Sequence, residues 1–191
     1  MNKKWLILPE EMRLHNSWCI ASPDKNPLTV NHKGQLHRFD LTDVSKLLPF
    51  DRACAAAFNA NLGIGFVLSK TDIYSDPYTC IDLDVKDAET HPNNPELWTT
   101  QDQFDRYWRI VQAFDSYTEK SRGGKGLHNW IRGNIGPGVK RDGVEVYSTQ
   151  RYMICTGDPI INKPIATDKQ DLLDILVSEI RNEQGGGHNH T

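Results

Sequence analysis

The stretch Thr79-Cys80-Ile81-Asp82-Leu83-Asp84 alternates apolar and acidic side chains, the period of a strand with one buried and one wet face. Upstream, Gly63-Ile64-Gly65-Phe66-Val67-Leu68 is an apolar run of strand length. Ser17-Trp18-Cys19-Ile20-Ala21-Ser22 reads as a further strand, followed by the turn Asp24-Lys25-Asn26-Pro27. Between them, 42–48 suggests a short helix stopped near Pro49, and Asp51 would cap an Ala-rich helix from Arg52 to Phe58. Downstream the period changes. Thr100-Gln101-Asp102-Gln103 is a capping box, and Phe104, Tyr107, Trp108, Val111 and Phe114 follow at helical spacing. Three strands come next, at 127–132, 144–147 and 152–156. Asp142-Gly143 is a turn before the second, and Ser148-Thr149-Gln150 turns into the third. Thr167 and Gln170 form another capping box, ahead of a helix with Leu172, Leu173, Leu176 and Ile180 on its apolar face. Strands mixed with helices and ending in an antiparallel meander predict an α+β fold.

The 191 residues suit one domain or a core with a small flanking lobe. Five Trp, six Tyr and six Phe need burying, which excludes a fully disordered chain. No apolar run approaches the length of a membrane span, so no membrane association is expected. The start turns acidic at Glu10-Glu11 with no signal-peptide core, and a cytoplasmic protein is expected. Cys19, Cys54, Cys80 and Cys155 form no Cys-x-x-Cys pair; the expectation is four buried, reduced thiols and no zinc site. The tail, 185–191, reads as a flexible end; a metal site at its His188 and His190 is the weaker reading.

The net charge of -3 hides an asymmetry. From Thr71 to Asp105 there are nine acids and one Lys; from Glu119 to Arg151 there are seven Lys or Arg and three acids. Two oppositely charged solvated faces would account for this, as would a metal-binding acidic cluster beside a phosphate-binding basic one. Three constellations bear on the choice. Alternation puts Asp82 and Asp84 on one face, a spacing at which two carboxylates can bridge divalent cations. An Asp-x-Asp alone is better read as an ordinary exposed strand face. Glu145 projects opposite to Val144 and Val146, and if its strand neighbours the Asp82 strand, three carboxylates converge and repel unless cations neutralise them. Ser121-Arg122-Gly123-Gly124-Lys125-Gly126-Leu127-His128 offers glycine backbone, with a hydroxyl from Ser121, a cation from Lys125 and an imidazole from His128, which suit a triphosphate; a glycine-rich hairpin loop with a core histidine is the alternative. It is not a Walker loop, because Gly126 stands where Ser or Thr should follow Gly-Lys.

In this order the pieces resemble the archaeo-eukaryotic primase superfamily, and within it the primase-polymerase domains of phages and plasmids. That family carries an Asp-x-Asp, a Ser- and Gly-rich stretch ending in His, and a third carboxylate on a later strand; Asp82 and Asp84, Ser121 to His128, and Glu145 match them. The likeness spans roughly 17–157 and takes in Lys25-Asn26-Pro27. The short form of the His motif is Ser-x-His, whereas here Ser121 lies seven residues before His128. The resemblance implies an RRM-like catalytic core at about 71–184 behind an N-terminal αβ unit at about 1–70. It implies two Mg²⁺ or Mn²⁺ ions on Asp82, Asp84 and Glu145. The catalytic set adds His128, and Ser121, Gly123, Gly124, Lys125, His128 and Arg151 would bind an NTP or dNTP. The implied activity is that of a DNA primase or polymerase on single-stranded DNA in phage or plasmid replication, inside a bacterial host, with a helicase domain or protein as a partner. Arg132, Lys140 and Arg141 are candidates for the template groove.

Three rivals are weighed. A rolling-circle initiator nuclease needs a His-hydrophobe-His motif, and the one His-x-His here is His188-Asn189-His190. A non-catalytic single-stranded nucleic-acid-binding module has no use for clustered carboxylates near DNA. A nucleotidyltransferase of end joining or signalling would share the motifs and demand a primed or broken end.

Overall fold

A computed structural model describes residues 1–68 and 77–185. The boundary expected near residue 70 and the tail from 186 onward, with His188 and His190, lie outside the described residues. In chain order the elements are α1 (Glu10–Arg13), β1 (Trp18–Ala21), β2 (Pro27–Val30), β3 (Leu36–Arg38), α2 (Phe50–Asn59), β4 (Gly63–Leu68) and β5 (Tyr78–Leu83). There follow α3 (Gln101–Phe114), β6 (Thr118–Lys120), β7 (Leu127–Arg132), β8 (Val139–Arg141), β9 (Val144–Tyr147), β10 (Arg151–Cys155), β11 (Pro159–Ile161) and α4 (Gln170–Gly185). The fold is α+β. The strands form two antiparallel sheets, ordered β10-β4-β1-β2-β3 and β11-β6-β7-β5-β9-β8.

The period-2 pattern of β5 explains how the layers stack. Ile81 and Leu83 join Ile131, Val144 and Val146 against Tyr107, Val111 and Phe114 of α3 and Leu173, Val177 and Ile180 of α4. Cys80, Trp130 and Tyr147, on the opposite face, pack with Phe66, Met153 and Cys155 of the first sheet. Phe66 is the hinge of that contact, edge-on to Trp18, Tyr78 and Trp130 at 5.1, 5.2 and 5.7 Å between ring centroids. The Thr100 capping box is complete: its hydroxyl accepts from Gln103 N at 3.2 Å and Gln103 Oε1 accepts from Thr100 N at 2.9 Å. Asp142 and Gly143 both have positive φ, 49° and 82°, which suits the two-residue hairpin joining β8 to β9.

Several local expectations change. Residues 42–48 hold only a 3₁₀ turn, Val44–Lys46. α2 starts at Phe50 behind Pro49, so Asp51 lies in its first turn and is not its cap. Thr167 is not a helix cap either, since α4 begins at Gln170, whose side-chain amide bonds both Asn134 N and Asn134 O at 2.9 Å. Trp108 is half exposed, and Ile110 takes the buried place. The three late strands are not a meander. Ser148-Thr149-Gln150 carries the chain out of the second sheet, and β10 closes the edge of the first beside β4.

Candidate active site

Sheet register draws residues distant in sequence into one row. Glu119 on β6 is opposite His128 on β7, His128 is opposite Asp82 on β5, Asp82 is opposite Glu145 on β9, and Glu145 is opposite Lys140 on β8. Asp84, two residues beyond Asp82, extends the row on the same face and is exposed. β5–β9 pairing thus sets Asp82 directly across from Glu145, while the full convergence of Asp82, Asp84 and Glu145 expected from the sequence is not formed as a ready site. Among the described residues no three His, Cys, Asp or Glu side chains stand together in a ready metal cluster. Burial, then the Asp82 charge, raises the Glu145 carboxyl pKa above its usual range; the Tyr147 hydroxyl, which donates to Glu145 Oε1 at 3.3 Å, and Lys140 work against it.

His128 is buried between two carboxylates. Its Nδ1 lies 3.1 Å from Ile154 O, and a carbonyl can only accept, so Nδ1 carries a proton. Nε2 then faces Asp82 Oδ1 at 3.5 Å. Burial is the largest influence on the imidazole and lowers its pKa, but Asp82, Glu119 and the Ile154 carbonyl together outweigh it, and the net shift is upward.

The glycine loop sits beside this row. Gly126 N donates to Ser121 Oγ at 3.1 Å and Ser121 N to Gly126 O at 2.8 Å, which closes the loop. A side chain at Gly126 would place Cβ 2.8 Å from Leu83 O, so this glycine lets the loop lie on β5. Nothing lies within 4 Å of a Cβ at Gly123 or Gly124, and Gly124 needs its φ of +76°.

A cleft of about 610 Å³ opens over the row, lined by Asp82, Asp84, Glu145 and His128, by Ser121 and Gly123, and by the cations Lys25, Arg122, Lys140 and Arg151. Arg151 stacks over the Tyr147 ring at 4.5 Å. Lys125 is not among the lining residues: its Nζ is held at 2.6 Å by both Asp87 and Glu89. Arg132 lies over the Tyr78 ring at 4.1 Å and Arg141 pairs with Asp142 at 3.2 Å, both away from the cleft lining. The four cysteines are free and buried, and burial pushes the Cys54 thiol up to about 12.

Half of this chain is similar to a phage DNA primase-polymerase. The relative, "DNA Primase-polymerase" from Nitratiruptor phage NrS-1, is 37% identical over 108 residues, which is 53% of this chain and 13% of that protein. This chain thus spans a small part of that relative's length. No family model matches the chain. No helix among the described residues is long and apolar enough to cross a membrane.

Three residues with no role read from the motifs stand out only in three dimensions. Lys25 was legible as part of Lys25-Asn26-Pro27 and Arg122 as part of the glycine loop, yet neither sequence context says that they face one cleft. Glu119 reads as an ordinary charged residue ahead of that loop, and it is fully buried.

Proposed function

We propose that this chain is a primase-polymerase catalytic domain, RRM-like in its second sheet, that joins NTPs or dNTPs on a single-stranded DNA template in phage or plasmid replication. The observation that carries this reading is the row Glu145–Asp82–His128, continued by Asp84, at the floor of a cleft walled by Lys25, Arg122, Lys140 and Arg151. A purely DNA-binding surface would gain nothing from opposed carboxylates there.

The donor chemistry would suit Mg²⁺ or Mn²⁺: hard carboxylate oxygens, with Asp82 directly across from Glu145 and its charge among the causes that raise the Glu145 pKa. Asp82, Asp84 and Glu145 would hold two such ions, which would lower the pKa of the attacking hydroxyl and neutralise charge on the leaving pyrophosphate. The chain's own groups do the rest. His128, with Nδ1 committed to Ile154, can offer only Nε2 to a phosphate oxygen. Arg122, Arg151 and Lys25 counter the triphosphate charge, and the open backbone at Gly123 permits close approach; Gly124 is equally open but does not line the cleft. The Ser121 oxygen accepts from Gly126, so its hydrogen remains available to the nucleotide. Lys125 reaches a phosphate only by leaving Asp87 and Glu89. Lys140 lines the cleft and Arg132 and Arg141 do not, which favours Lys140 as the template contact. Opening of duplex DNA falls to a helicase domain or protein.

The test is incorporation of labelled nucleotide on single-stranded DNA, with and without primer, in Mg²⁺ and in Mn²⁺, beside an Asp82→Ala, Asp84→Ala double variant. Metal-dependent product absent from the variant supports the reading, and product without primer makes it a primase. A chain that binds DNA but adds nothing under any of these conditions refutes catalysis.

A further inference from the structure

Glu119 has no part in the chemistry above, yet it is a carboxylate buried to 0% exposure. Burying such a group is costly unless hydrogen bonds replace its lost water; here they do so at one oxygen, while Oε1 is buried with no partner among the described residues. Its Oε2 accepts from Thr156 N at 2.7 Å, Gly157 N at 2.7 Å and the Thr156 hydroxyl at 2.5 Å.

Those donors lie at the end of β10, the edge strand of the first sheet. One side of β10 pairs with β4 through Cys155. On the open side, Ile154 O and Thr156 N face the second sheet, where His128 Nδ1 takes the carbonyl and Glu119 Oε2 takes the N–H. His128 and Glu119 are themselves directly opposed on β7 and β6. Two neighbouring side chains on the face of one sheet therefore stand in for a missing partner strand at the edge of the other. Gly157 lets the junction close against the N-terminal backbone: its φ is +68°, and a Cβ there would lie 2.0 Å from Lys4 O.

We propose that Glu119 is a positioning residue for His128. By clamping the Thr156 and Gly157 backbone, it fixes the Ile154 carbonyl, which holds the imidazole with Nδ1 protonated and Nε2 turned toward Asp82 and the cleft. The consequence for nucleotide binding rests on the role given to His128 above; the consequence for the imidazole does not.

The experiment uses the full chain, ¹⁵N-labelled, and reads the His128 ring nitrogens by long-range hydrogen–nitrogen correlation. In parallel, a triphosphate nucleotide is titrated. The wild type should show Nδ1–H. Glu119→Ala removes the acceptor, and Glu119→Asp keeps the carboxyl group but withdraws it by one methylene. Both should lose the Nδ1–H pattern, and nucleotide affinity should fall by roughly 10- to 100-fold, the scale of other orienting partners. Glu119→Gln keeps one acceptor oxygen and should restore both readouts. If Glu119→Ala fails to fold, Glu119→Asp carries the test. A folded Ala or Asp variant with the wild-type ring pattern overturns the proposal, as does a Gln variant that loses it. If the wild type binds no nucleotide, the primase-polymerase reading fails, and the ring pattern alone still decides the role of Glu119.

Discussion

Glu145→Gln should stabilise the metal-free protein and weaken the metal-loaded one. Glu145 stands directly across from Asp82. Burial and the Asp82 charge raise its pKa, Tyr147 and Lys140 oppose the shift, and Asp84 adds to it. A folded carboxyl pKa above the unfolded one means that stability is lost as pH rises through that window, so at neutral pH the ionised form is the costly one. Like charges directly opposed across a sheet cost about 0.2–1 kcal/mol. The repulsion from Asp84 adds to this, and Lys140 on the far side subtracts. A net gain of about 0.5–1 kcal/mol is expected in EDTA, or about 1–4 °C in melting temperature for a chain of this size. Mn²⁺ at a hundred times its Kd would add about 2.7 kcal/mol to the wild type and far less to a variant lacking one ligand. The order of the two melting temperatures should therefore reverse between EDTA and Mn²⁺. Differential scanning calorimetry in both buffers at pH 7 reads this directly. A variant that melts below the wild type in EDTA would refute the repulsion, and equal gains in Mn²⁺ would refute Glu145 as a ligand. Asp82→Asn is the contrast: it takes the carboxylate from His128 and should bring no gain in EDTA.

Phe66→Ala should cost about 3–5 kcal/mol in urea unfolding followed by tryptophan fluorescence. The transition should stay single, because Phe66 touches Trp18 of the first sheet and Tyr78 and Trp130 of the second. Gly143→Ala should lower the melting temperature sharply: the φ of +82° alone costs about 1–3 kcal/mol, and the new Cβ would fall 1.8 Å from Tyr107 Oη. The Lys125 ammonium, followed by hydrogen bonds from the Thr90 turn, lowers the Asp87 pKa from 3.8 to about 2. Its contribution is present above the unfolded value and lost as pH falls from 3.8 toward 2, and Lys125→Met should move the carboxyl titration, read by NMR, back toward 3.8.

What was legible in the sequence is what local period and local bonding decide. β4, β7 and β9 stand where apolar runs and alternation placed them, and the α3 capping box is satisfied by residues three apart. The alternation of Ile81, Asp82, Leu83 and Asp84 already separates the helix-facing side from the cleft side. The helix starts at Asp51 and Thr167 failed for different reasons: Pro49 sets α2 going at Phe50, one residue before Asp51, and at Gln170 the amide went to Asn134 instead.

The rest depends on register between strands far apart in the chain, which no window of sequence contains. That Asp82 meets both His128 and Glu145 follows from β5 lying between β7 and β9. Glu119 shows the limit most clearly. Thr118-Glu119-Lys120 looks like a short polar strand, and its middle residue becomes the most deeply buried acid in the site only because β10 crosses to the first sheet and presents an open edge to it. A carboxyl group that would be solvated on an isolated hairpin is thereby committed to holding two sheets in the relation that aims His128 at the carboxylate row. The same logic separates Lys125 from Arg122 within one loop: Asp87 and Glu89 capture the lysine from outside, and the arginine is left facing the cleft.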